Sequence, residues 1–291
     1  MHAFTDWEKV RKSTKPGASQ TFASPGQNAS ESLIQNAVSR APAFAEFVVL
    51  PCGMTGKLLW NNCPLDVATI VAERVPEAIV AYRPLTEATT APPSSLWEAI
   101  QISRSVVHIS DEMISEDPDG SLPELAPRDR HVRRELADRI QMQGDKSPTG
   151  NALRAGLYQI HDDLQASHEQ SQEVEGEGPL RLADYWHAVM HRREPDYSNA
   201  KYWFRRVGTH PVHQTLATAA ADIFNRSCTS ECHEWQRRLG QGNWDAMAFV
   251  DLCELASRSR SEDLKRIAEK LQWLEMVLLL KCCCEQLRNP E

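Results

Sequence analysis

Four histidines pose the chemical question in this sequence: His161, His168, His187 and His191. His187 and His191 stand four residues apart, so on a helix they share one face, one turn above the other. Two imidazoles so placed can reach one ion, the i, i+4 geometry of metal-binding helices. Asp184 and Glu194 extend the stripe at spacings of three; the four polar groups fall within roughly 80° of a helical wheel. Leu182, Tyr185, Trp186, Val189 and Met190 fill an arc of roughly 140° on the other side. Ala188 follows His187, so the His-Glu-x-x-His pattern of zinc proteases is absent. His161 and His168 share the wheel side of Leu153, Leu157 and Leu164, which points them inward. Converging with His187 and His191, and with Asp162, Glu169, Glu175 or Glu177 as carboxylates, they suit a divalent transition metal such as zinc, iron or nickel. The plainer account is a solvated His187/His191 face and a pair of hydrogen-bonded core histidines.

A second cluster is cationic. Arg192 and Arg193 close the histidine segment; Lys201 and Arg205 follow four apart, as do Tyr202 and Arg206. Guanidinium forks recognise carboxylate and phosphate. His210 and His213, in "GTHPVH", follow at once. Arg192, Arg193, Tyr202, Arg205, Arg206 and His210 are therefore the expected ligand-binding set, directed at an acidic small molecule or a protein partner. Pairing of the arginines with Glu194 and Asp196 is the alternative.

Other motifs carry less. "CTSECH", residues 228–233, has two cysteines and a histidine but no second close pair, which structural zinc needs. In "CGMTGKLLW" the spacing Gly53-x-x-Gly56-Lys57 is too short for a phosphate loop, and Leu58 stands where a magnesium-binding hydroxyl belongs. A turn before a helix is expected there. No Gly-x-Ser-x-Gly elbow occurs.

The elements that must position these groups follow from proline and periodicity. Thirteen of the seventeen prolines fall in residues 1–150, so long helices belong to the second half. The expected fold is mainly α: a disordered tail at 1–30, a small, poorly specified and mostly helical region at 31–114, a charged linker at 115–149, and an α-helical domain at 150–291. "SESLIQNAVSRA", "PLDVATIVAERV" and "SSLWEAIQISRSVVHI" read as helices, while "FVVLPCG" and "AIVAY" fit strands or buried helix ends equally. Within the linker a short helix is expected at Arg130–Met142. Beyond it, Leu153, Leu157, Ile160 and Leu164 mark a first helix and the 182–194 stripe a second, ended by Pro195. Ala200, Trp203, Phe204 and Val207 mark a third with Gly208 as its C-terminal cap, and 212–226 a fourth. Asn243 can cap a fifth and Ser261 a sixth, the longest. The triplet Cys282–Cys284 reads as core filling plus exposed helix surface.

"EPDYSNAKYWFRRV" resembles the turn and second helix of a tetratricopeptide-type repeat: Tyr197, Ala200 and Phe204 match that family's aromatic, small and aromatic positions, and Pro211 lies near its closing proline. The resemblance spans one helical hairpin, residues 182–208. It departs at Asp184, His187 and His191, where the family has Trp, Leu and an aromatic, and no second copy follows at 34 residues. The longer "DYWHAVMHRREPDYSNAKYWFRRVG" is similar to stretches of uncharacterised microbial proteins, from which no activity follows.

A net charge of −8 argues against nonspecific nucleic-acid binding or attachment to an anionic membrane. Eight cysteines without a paired framework fit reduced thiols. Met1–Gly17 lacks the apolar stretch of a signal peptide, and runs such as Met276–Leu280 are far too short to span a bilayer. A soluble cytoplasmic protein is expected, with two functions open: a binding module presenting the Arg/Tyr/His cluster, or a metal-assisted enzyme with a His-rich site between helices.

Overall fold

The computed structural model describes residues 47–50, 58–61, 64–74, 79–81, 122–227, 232–240, 242 and 244–289. The chain divides into two units: Met1–Pro51 with Lys57–Ser115, and Cys52–Gly56 with Glu116–Glu291.

The first unit holds strands β1 (Phe47–Leu50), β2 (Leu58–Asn61) and β3 (Ile79–Ala81) and helix α1 (Leu65–Arg74). β1 is central and antiparallel to both neighbours, with Val48 opposite Trp60 on one side and Val80 on the other. The ambiguous runs around Val48 and Val80 are thus strands, as their β-branched content allows. A strand, not the expected helix, follows Lys57; the β1 ladder takes up the backbone groups of Leu58–Asn61. α1 buries Val67, Ile70 and Val71, the three-four spacing of one apolar face. The tail 1–30, the Gly53–Lys57 turn, and the helices expected in "SESLIQNAVSRA" and "SSLWEAIQISRSVVHI" lie outside the described residues.

The second unit is helical: α2 (Arg134–Gln141), α3 (Pro148–Ile160), α4 (Leu164–Gln172), a 3-10 turn (Pro179–Arg181), α5 (Leu182–Arg193), α6 (Tyr197–Val207), α7 (Val212–Ser227), α8 (His233–Leu239), α9 (Ala246–Arg258) and α10 (Glu262–Arg288). The fold is mainly α. Side-chain caps start five of these helices: Ser147 before α3, Asp163 before α4, Asp196 before α6, Asp245 before α9 and Ser261 before α10. Each such cap stabilises its helix by about 1 kcal/mol. The stretch expected to be a charged linker carries α2, whose Leu136 and Ile140 are buried. Asp245 takes the capping place expected of Asn243.

The helix expected to run through Leu153 and Leu164 is two helices. Asp162 adopts φ 65° and the Asp163 carboxylate accepts from the Ala166 N–H, so the chain stops at His161 and starts again at Leu164. A capping aspartate outcompetes continuation of an apolar period.

α5 lies at the centre, packed against α3, α4 and α6, and every one of its residues is buried. Its apparent polar face is therefore not solvated; other helices cover it. Gly156 lets α3 come close: a Cβ there would stand 2.4 Å from the Trp186 ring. α10 is buried from Leu264 to Cys284 on most of its positions, and Cys282, Cys283 and Cys284 are all inside, so none of the triplet is helix surface. Burial pushes the thiols of Cys282 and Cys284 up to about 11 and about 12, so these are inert packing groups. Among the described residues no helix is long and apolar enough to cross a membrane.

Candidate metal centre

α4 and α5 bring three imidazoles together. His168 comes from α4, His187 and His191 from successive turns of α5, and one ring nitrogen from each lies within 4.8 Å of the other two. The His187 and His191 rings stack at 4.7 Å between centroids, with the His168 ring edge-on to both at 4.7 and 5.6 Å. On its other side His187 stacks on Trp203 of α6 at 4.0 Å. Tetrahedral ligation through bonds of 2.0–2.1 Å puts ligand nitrogens roughly 3.3 Å apart, so closing on an ion requires the three to converge by at most about 1.5 Å.

Polar satisfaction differs sharply within the trio. His191 Nδ1 lies 2.5 Å from Glu194 Oε1, and Asn199 Nδ2 lies 3.0 Å from His191 Nε2. A carboxylate can only accept, so Nδ1 carries the proton and Nε2 holds the lone pair. Glu194 so placed orients the imidazole, as carboxylates behind metal-bound histidines do. His187 is 1 % exposed and neither of its ring nitrogens has a partner. An orphaned buried polar atom costs about 1–3 kcal/mol. Burial, then the nearby His191 and His168, hold the His187 imidazole down at about 3. Burial and His191 likewise lower His168. At neutral pH both rings are unprotonated, the form that ligates metal.

The fourth histidine is elsewhere. His161 caps the end of α3 and stands outside the group. The helix break at Asp162–Asp163 separates it from His168, which the wheel had placed on the same side. Asp162, Glu169, Glu175 and Glu177 are not in the cluster either; Glu194 is the carboxylate at hand.

The expected arginine set also divides. Arg192 and Arg193 are both 0 % exposed and face inward. Arg192 pairs with Glu275 of α10 at 2.5 Å, Tyr185 donates to the other oxygen of that carboxylate at 3.0 Å, and the guanidinium lies 4.5 Å over the Phe249 ring. Arg193 pairs with Asp162 at 2.6 Å and donates to the carbonyls of Gln159 and Glu124. Neither reaches an external ligand, and neither pairs with Glu194 or Asp196. Arg206 is on the surface, held by Glu175 at 2.7 Å and by Tyr202 at 3.2 Å, its guanidinium 4.7 Å over Trp203. Tyr202 and Arg205 are exposed, and Lys201 pairs with Asp251. His210 is buried, in a different part of the unit, beside a cleft. Cys232 and His233 of "CTSECH" belong to no metal-like group among the described residues; Cys228 lies outside them.

Sequence reasoning missed Glu275 and Asn199. Glu275 stands 83 positions from Arg192, with no spacing to reveal it. Asn199 carried a signal: it faces His191 across the short 194–196 connection. No protein-family model matches the chain, and neither a curated protein nor a solved structure matches it.

Proposed function

We propose that this protein binds a divalent transition metal on His168, His187 and His191, between α4 and α5. The observation that carries the reading is His187: a fully buried imidazole with both nitrogens unpartnered, facing two further imidazoles. Nothing in packing alone rewards that arrangement, since an apolar ring would fill the same stack without orphaned nitrogens. Imidazole donors suit zinc, iron, nickel or copper. Three protein nitrogens leave the fourth tetrahedral place to water or a substrate, as in catalytic zinc sites, where the ion supplies Lewis-acid chemistry. His168 is the one member of the trio that is only partly buried. The favoured function is therefore metal-assisted chemistry at a helical core. The binding-module alternative loses Arg192 and Arg193 to the interior.

The test is the metal content of the purified protein, with Zn2+ and Co2+ titrations of the chelated chain. One ion per chain, a visible Co2+ ligand-field spectrum and a rise in Tm are expected. All three disappear in the His187→Phe variant, which keeps the aromatic stack. A chain that takes up neither ion, or binds it equally well as His187→Phe, removes the proposal.

A further inference from the structure

A separate cleft of about 1050 Å³ opens where α6 ends and α7 and α9 begin. Its lining includes Phe204, Arg205, His210, His213, Trp244 and Met247. None of these belongs to the three-histidine group.

The hydrogen-bond state of the two histidines follows from the backbone. The Val212 N–H donates to His210 Nδ1 at 3.3 Å, and the His210 N–H donates to His213 Nδ1 at 3.4 Å. Both Nδ1 atoms therefore hold lone pairs, and in neutral rings the proton sits on Nε2. Burial holds the His210 imidazole down at about 4 and lowers His213 as well, so both are neutral near pH 7. Each presents an Nε2–H donor, and neither Nε2 has a partner. The Trp244 indole N–H, which can only donate, is unpartnered too. His210 and Trp244 are 3 % and 8 % exposed and their ring N–H groups are closed to water in this structure, so a ligand in the cleft reaches them by a small rotation of these lining side chains. Arg205 is exposed on the same lining and makes no ion pair among the described residues. The N-termini of α7 and α9 both border the cleft and add positive partial charge.

A lining whose unmet polar needs are all donors calls for a ligand that only accepts. One guanidinium, with Asp245 also on the lining but engaged in capping α9, balances a single negative charge better than the near-double charge of a phosphate. Phe204, Trp244 and Met247 supply apolar walls for the rest of the molecule. We infer that this cleft binds a small monocarboxylate with an apolar body, its carboxylate held by Arg205, His210 Nε2–H and Trp244 Nε1–H.

The experiment follows the indole N–H signals of the full chain by 1H–15N NMR, with the Trp244 signal identified by its loss in Trp244→Phe. Phenylacetate, hexanoate, phenylacetamide and inorganic phosphate are titrated. The two carboxylates should saturate, shifting the Trp244 signal, and phenylacetamide should bind at least tenfold more weakly. Arg205→Met, a change at an exposed position read on the Trp244 signal, and Trp244→Phe, read by isothermal titration calorimetry, should each weaken phenylacetate about tenfold, which is about 1.4 kcal/mol. Equal binding of the amide, tight phosphate binding without carboxylate binding, affinity unchanged in both variants, or no shift with either carboxylate at millimolar concentration overturns the inference. The result is independent of metal, so its failure leaves the three-histidine centre untouched.

Discussion

His187 is the residue on which the metal reading turns, and its environment allows a sharp test without any metal. Its ring is sandwiched between Trp203 and His191, and its two nitrogens are orphaned. Phenylalanine keeps the stack and removes the orphans. In chelator-treated protein His187→Phe should be more stable than the parent by roughly 1–2 kcal/mol, read as a higher urea midpoint. With Zn2+ present the order should reverse, because only the parent gains from the ion. A variant less stable than the parent under chelator would mean that His187 already has a partner. The i, i+4 pair was legible from spacing alone, whereas His168 was grouped with it through a continuous helix that the break at Asp162–Asp163 removes. Two things were not. The wheel placed His187 opposite the core, because it registers only which residues are apolar, not that α4 and α6 cover the other side. It also grouped His161 with His168, because periodicity does not register a capping aspartate at the break.

At the scale of elements, α5 is held by contacts of two kinds. One is close approach: Gly156 of α3 faces Trp186 and Leu280 with no room for a methyl group. Gly156→Ala should cost about 1–3 kcal/mol by overpacking, despite alanine's better helix propensity, measured by thermal or urea unfolding. The other is the buried ion pair Arg192–Glu275, which ties α5 to α10 with Tyr185 on the second carboxylate oxygen. Removing one partner strands a buried charge, so Glu275→Gln and Arg192→Met should each destabilise by about 3–5 kcal/mol. The Arg192→Met/Glu275→Leu double variant should lose far less than the sum. Additivity in that double-mutant cycle would show that the pair is not coupled. Helix ends were largely readable, since Ser261, Gly208 and the proline after α5 are local signals. The partners of Arg192 and Arg193 were not: both arginines read as surface forks because nothing nearby in sequence announces Glu275 or Asp162.

For the second unit as a whole, four histidines with depressed values make acid the condition to watch. His187 sits at about 3 and His210 at about 4, with His168 and His213 also lowered, each chiefly by burial. In the unfolded chain the same groups titrate at about 6.5. Between these values the unfolded state binds protons that the folded state refuses, so stability falls as pH falls. The contribution is complete above about pH 6.5 and is lost progressively toward pH 3–4, on the order of a few kcal/mol in total. The urea midpoint should therefore be flat from pH 8 to about 6.5 and then decline. Zn2+ should raise the plateau and make the decline steeper, since protons and metal compete for His168, His187 and His191 in the chain as a whole. In His187→Phe the zinc increment should vanish and the decline should become shallower, because one titrating group is gone. A midpoint that stays level to pH 4 would mean that these imidazoles are hydrated and protonate freely in the folded protein. That result would count against the closed histidine cluster and against the neutral donors of the carboxylate cleft.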